Sequence, residues 1–231
     1  TPGTGSTALT GRESGPSVGV GADCYVGLDL GTSGCRAIAI DADGGILAQT
    51  RSPLPASRRP QAGASEQNPG DWWQAVCSIL RELVSLQPGH IRALCVDGTS
   101  STLLLCDHSG NPLTPALMYD DRRAVAEAGV VARFAPADNP VLGPGSALAK
   151  LLYLLARVPG GEAAHALHQA DWINGMLSER YGFADENNVL KLGYDPVSRR
   201  WPEWMSDLPF PTQLLPRVLP AGEPLARISS R

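Results

Sequence analysis

A carboxylate at the end of an apolar run, followed at once by glycine and two hydroxyls, can seat a phosphate and a divalent cation. Asp29-Leu30-Gly31-Thr32-Ser33-Gly34 has that form. Small residues let backbone N–H groups close on phosphate oxygens, and hydroxyls add donors. The carboxylate can hold Mg2+, mostly through water, because Mg2+ dehydrates reluctantly. Arg36 lies just beyond and adds positive charge. The same letters also make an ordinary hairpin corner. A second stretch, Val96-Asp97-Gly98-Thr99-Ser100-Ser101-Thr102, nearly repeats the form. Two such corners on neighbouring strands would face one cleft, which points to phosphoryl transfer. A third cluster, Tyr119-Asp120-Asp121-Arg122-Arg123, combines carboxylates with guanidinium groups that can hydrogen-bond sugar hydroxyls. It reads equally well as a helix start whose acidic residues favour the dipole. Asp171 suits a helix cap as well as a ligand, and His165 and His168 lack a third partner at metal-ligand spacing.

The elements that must position these residues follow from periodicity. Tyr25 to Leu30 reads as a buried strand, Cys35 to Asp41 as a second and Ile46 to Arg51 as a third, with Asp43-Gly44-Gly45 as a hairpin turn. Three strands joined by short turns make an antiparallel meander. Residues 52–67 form a loop. Asn68 then caps a helix with Pro69 at its first position, and Trp72, Val76, Ile79, Leu80, Leu83 and Val84 form its buried face. Trp72-Trp73 reads as core and rim packing. Pro88-Gly89 ends the helix, and Ile91 to Asp97 and Thr102 to Cys106 read as strands. Helices are expected over residues 120–134, 147–157 (capped by Ser146) and 170–179, the four histidines in turns or polar helix segments, and residues 181–211 as a structured loop.

Composition excludes several classes. The 231 residues are 43% hydrophobic and 18% charged, enough to fill a core. Residues 1–23 are Gly, Ser, Thr and Pro with few large apolar side chains, and are expected to be a disordered tail. A net charge of -4 argues against broad nucleic-acid binding, and no apolar run approaches the ~20 residues of a membrane span. Cys24, Cys35, Cys77, Cys95 and Cys106 are odd in number and widely spaced, with no CxxC pair. They read as small hydrophobes in a reducing compartment, the cytoplasm or the chloroplast stroma.

Several of these stretches together resemble the FGGY family of carbohydrate kinases. Tyr25-Val26-Gly27-Leu28-Asp29-Leu30-Gly31-Thr32-Ser33 resembles its opening, and Glu66-Gln67-Asn68-Pro69-Gly70-Asp71-Trp72-Trp73 its E-Q-x-P-x-x-W-W segment. Asp97-Gly98-Thr99-Ser100 resembles its next strand corner. Leu117-Met118-Tyr119-Asp120-Asp121-Arg122 resembles its W-x-D-x-R segment, with Met or Tyr in place of Trp. Asp171-Trp172-Ile173 and Asn187-Asn188-Val189-Leu190-Lys191-Leu192-Gly193-Tyr194-Asp195 look most like the ribulose kinase branch of plants and cyanobacteria.

The resemblance implies an α/β, ribonuclease-H-like (actin/hexokinase-type) domain: a mixed sheet with three antiparallel leading strands, flanked by helices. It implies two lobes, with sugar and ATP meeting between them. Residues 24–231 would be the N-terminal lobe. Asp29 would contact Mg2+ and the transferred phosphoryl region, with Thr32 beside it. Gly31, Thr32, Ser33 and Arg36 would bind phosphate. Asp97, Thr99 and Ser100 would bind the sugar, with Asp120 or Asp121 and Arg122 near the pocket. The family's general-base Asp is expected beyond Arg231, with the ATP-binding lobe, so this chain alone is expected to have little kinase activity. D-ribulose is the favoured substrate and D-xylulose the next. The alternative is a non-catalytic sugar-binding or protein-interaction module. An uncovered cleft face would favour self-association.

Overall fold

The computed structural model describes residues 21–86, 88–158 and 160–229. Most of the expected disordered tail lies outside the described residues, and Asp23 already belongs to the first strand. Strand β1 (Asp23–Leu30) alternates: Cys24, Val26, Leu28 and Leu30 are buried, while Tyr25 and Asp29 are exposed. This is the period of two that puts one face of a strand on a core. Strands β2 (Gly34–Ile40) and β3 (Ile46–Pro53) continue antiparallel, as the short turns predict.

A two-residue strand, β4 (Glu66–Gln67), leads into helix α1 (Pro69–Ser85). The Asn68 side chain accepts from Gly70 N, and Pro69 stands where its missing N–H is not needed. Trp72, Val76, Ile79 and Leu83 are fully buried against the sheet. Strand β5 (His90–Gly98) then runs parallel to β1, which completes a mixed sheet of order β3-β2-β1-β5.

Strand β6 (Leu103–Cys106) is buried at every position. Leu104 and Cys106 join the core under α1, while Leu103 and Leu105 join a second core. The strand is a wall between two apolar layers, so it reads as a continuous apolar run. With β7 (Ala116–Leu117) and β8 (His165–His168) it forms a second sheet of order β4-β7-β6-β8. His165 and His168 thus lie in a strand, not in the turns or polar helix segments expected of them; β8 pairs with β6 from end to end.

Helix α2 (Val125–Val131) begins later than the expected 120, because Asp120 and Asp121 are engaged in a loop described below. Helix α3 (Ala147–Leu155) has its expected cap, Ser146 Oγ accepting from Ala149 N at 3.1 Å. Helix α4 (Gln169–Ser178) is capped from within its first turn by Asp171, whose Oδ2 accepts from His168 N at 3.1 Å. Its Trp172 meets Trp72 edge-on, ring centroids 6.2 Å apart. Strands β9 (Phe183–Asp185) and β10 (Arg217–Leu219) pair in parallel. Between them lie short 3-10 turns, where Asn188 Nδ2 reaches Asp185 Oδ2 (3.1 Å) and Asp171 Oδ1 (3.3 Å). Cys24, Cys35 and Cys106 are buried as expected of packing residues, and burial pushes the Cys35 thiol up to about 12. Cys77 is half-buried and Cys95 is exposed, so the reading as core hydrophobes does not extend to Cys95.

Candidate functional site

Parallel register brings the two acidic strand ends together. Asp29 on β1 lies opposite Asp97 on β5, and Leu30 opposite Gly98. Both carboxylates are on the exposed face. Across the antiparallel side, Asp29 faces Arg36, and Arg36 faces Arg51. Four charged residues thus form one row, two negative and then two positive, on strands about 4.8 Å apart. The row borders an open trough of about 820 Å³ lined by Gly27, Asp29, Arg36, Ile38, Gln49 and Arg51. Among the described residues, none holds the Asp29 carboxylate in an ion pair or hydrogen bond. A free, exposed oxygen donor suits a hard cation that brings its own water and phosphate oxygens. No group of three or more His, Cys, Asp or Glu that could hold a metal occurs among the described residues.

The turn after Asp29 is held from outside. Gly31 N donates to Gly34 O at 2.9 Å, so that N–H closes the hairpin. The carbonyl of Thr32 accepts from Gln67 Nε2 at 2.8 Å. The same amide donates to Pro55 O at 3.1 Å, while Gln67 Oε1 accepts from Trp72 Nε1 at 2.7 Å. A buried carboxamide with all three groups engaged therefore ties the turn to the core of α1. A Cβ at Gly34 would sit 3.2 Å from Ser52 O, a tight approach to the neighbouring strand.

The corner after Asp97 is equally built. Thr99 N and Oγ1 both donate to Gln169 Oε1 at 2.9 Å, and Thr99 Oγ1 lies 2.5 Å from Thr102 Oγ1. Thr99 thus shapes the corner, and Ser100 is the exposed hydroxyl. Gly98 lies close to helix α4: a Cβ there would come within 3.1 Å of Ala170 N and would crowd it. Ser101 takes the left-handed conformation, φ +67°, and its hydroxyl donates to Gly145 O at 3.1 Å.

The third cluster divides into two kinds of residue. Asp121 is fully buried: Oδ2 accepts from Ser65 N at 2.8 Å and from Arg123 Nε at 3.0 Å, and Oδ1 accepts from Arg123 N at 3.1 Å. Arg123 Nη2 ion-pairs with Asp121 (2.8 Å) and Glu66 (2.7 Å). Burial works against the Arg123 charge, but Asp121 and Glu66 outweigh it and hold the guanidinium above its usual value. The expectation that Asp121 faces a sugar is therefore corrected: its carboxylate is enclosed and fastens two loops. Asp120 and Arg122 face outward. Asp120 pairs with Arg59 at 2.7 Å. Partial burial opposes its ionisation, yet Ser65 and Arg59 prevail and hold its carboxyl below the ordinary range.

Sequence reasoning passed over Gln67, Lys150 and Gln169 as working residues and offered Arg123 only as one guanidinium of the sugar-binding cluster. Lys150 is fully buried on α3, and Nζ donates to Ser101 O, Met118 O and Tyr119 O at 2.9, 2.7 and 3.3 Å. A signal for it existed: one lysine inside an otherwise apolar run, Ala147 to Leu155, on a helix that is apolar all round and hence enclosed.

A mixed sheet whose meander is followed by a parallel strand, with short small-residue turns at the carboxyl ends of β1 and β5, is the ribonuclease-H-like arrangement of actin- and hexokinase-type domains. The chain belongs to the FGGY family of carbohydrate kinases, whose N-terminal domain matches residues 24–231. It is 32% identical over 142 residues to a xylulose kinase of Escherichia coli (strain K12), covering 58% of this chain and 29% of that protein. It is 29% identical over 212 residues to an apulose kinase of Pectobacterium atrosepticum, covering 84% and 42%. The solved xylulose kinase from Rhodospirillum rubrum superposes with a TM-score of 0.80 at 23% identity, covering 90% of this chain and 45% of that one. The chain spans under half the length of each of these three relatives. Among the described residues no helix is long and apolar enough to cross a membrane.

Proposed function

We propose that this chain is the sugar-binding lobe of an ATP-dependent kinase for a small ketose, D-ribulose first and D-xylulose next. The observation that carries the reading is the register of Asp29 with Asp97. It opens both small-residue turns at the same end of one sheet, the carboxyl end at which α/β sheets take their ligands. In this reading Ser100, Asp97, Asp120 and Arg122 bind sugar hydroxyls, while Thr99 and Asp121 hold the two corners in shape. Thr32 and Ser33 present donors to a phosphate and Arg36 balances its charge. Asp29 would hold Mg2+, which supplies charge neutralisation at the transferring phosphoryl. Phosphoryl transfer depends on positioning and charge stabilisation around the attacking hydroxyl. The reading therefore assigns sugar binding to this chain, and turnover to a protein of its relatives' full length.

Calorimetric titration of the folded chain with D-ribulose, D-xylulose and glycerol tests the reading. D-ribulose is expected to bind tightest, and Ser100→Ala to weaken it about five- to tenfold, the worth of one hydrogen bond. Absence of binding by every sugar would remove the proposal in favour of a protein-interaction module.

A further inference from the structure

Lys150 is enclosed in the middle of α3. Burying an ammonium is costly unless it is fully hydrogen-bonded. It carries three donors and no acceptor, and three carbonyls receive them. These come from two separate segments. Ser101 closes the corner that presents Ser100, and Met118 and Tyr119 lead directly into Asp120. The clamp is stiff at each end. Ser101 is held at positive φ with its hydroxyl on Gly145 O, and Ser146 caps the helix one turn before the lysine. Burial works against the ammonium most strongly and Lys191 adds to that, while Asp121 and Asp120 favour it.

We infer that Lys150 is a positioning residue that sets the gap between the Ser100 corner and the Tyr119–Asp120 segment, and through that gap the choice between one ketose and its epimer. The inference rests on the sugar-binding reading above. Lys150 touches no solvent and hence no sugar; its action runs through three backbone carbonyls. A displacement of these segments by about 1 Å is enough to degrade a positioned site severely.

The test titrates the wild-type chain, Lys150→Met and Lys150→Gln with D-ribulose and with D-xylulose, at a temperature where circular dichroism shows each folded. Methionine fills the space without donors, and glutamine returns two donors and is the better prospect for folding. D-ribulose affinity is expected to fall about tenfold in Lys150→Met and less in Lys150→Gln, with the preference for D-ribulose shrinking toward unity in both. A folded variant that keeps the wild-type preference overturns the inference, even if both sugars bind more weakly, because uniform weakening is what a purely structural lysine would produce. A wild-type chain that binds both epimers equally overturns it as well. A wild-type chain that binds neither instead overturns the sugar-binding reading itself.

Discussion

Replacing Asp121 by alanine is the sharpest stability test of the loop that borders the candidate sugar site. The wild-type carboxylate is inaccessible and receives Ser65 N, Arg123 N and the Arg123 guanidinium. The Arg123 side chain is 8% exposed, so after the change its charge stays buried with Glu66 as its remaining carboxylate partner. Breaking a buried pair from one side costs about 3–5 kcal/mol. At roughly 2–4 °C per kcal/mol for a domain of this size, the melting temperature should fall by roughly 6–20 °C. Urea unfolding followed by far-UV circular dichroism measures the loss directly. The double variant Asp121→Ala with Arg123→Met removes both charges and should recover part of it, giving a coupling of about 1–3 kcal/mol between the two positions. A loss below about 1 kcal/mol for the single variant, or no coupling in the cycle, would refute the assignment of Asp121 as the enclosed fastener.

Three further outcomes follow from the same geometry. Gln67→Leu leaves the Trp72 indole N–H and the Thr32 and Pro55 carbonyls without their partner. It should cost about 1–3 kcal/mol and speed amide exchange at residues 31–34; unchanged exchange there would show that Gln67 does not hold the turn. Burial lowers the Lys150 ammonium to about 8 from an ordinary 10.5. Between those values the unfolded chain binds more protons than the folded one, so wild-type stability should rise with pH relative to Lys150→Met, by up to about 3 kcal/mol. Parallel unfolding curves for the two proteins across that window would contradict the lowered value. Finally, among the described residues β5 pairs with β1 alone, and Tyr25, Ile46 and Ile91 are exposed on this sheet. An unpaired edge of this length invites pairing, so sedimentation should show association that grows with concentration, and a monomer at every concentration would argue against it.

Local pattern revealed the elements that carry the site. The alternation Val26, Leu28, Leu30 against Asp29 placed the first carboxylate outward at a strand end, and Asn68-Pro69 marked the start of α1. Contacts between distant segments were not legible. Asp120-Asp121 has the look of an acidic helix start, yet Asp121 bonds Ser65, 56 residues away, and α2 begins only at Val125. Thr99 and Ser100 look alike on the page, but Gln169, 70 residues on, engages the first and leaves the second exposed. His165-Ala166-Leu167-His168 is too short for its period to distinguish strand from helix, and pairing with β6 decides the matter. Glu66 and Gln67 stood out only as letters of a motif. The structure gives them separate tasks, one on Arg123 and one on the Thr32 turn.

The most direct test of the shared cleft is backbone amide NMR of the 15N-labelled chain titrated with D-ribulose. Shifts are expected to cluster at residues 98–101 and 119–122, with addition of Mg2+ and inorganic phosphate moving residues 29–33 in the same molecule. Shifts confined to other surfaces, or saturable binding with the Ser100 and Asp120 amides unmoved, would contradict the account.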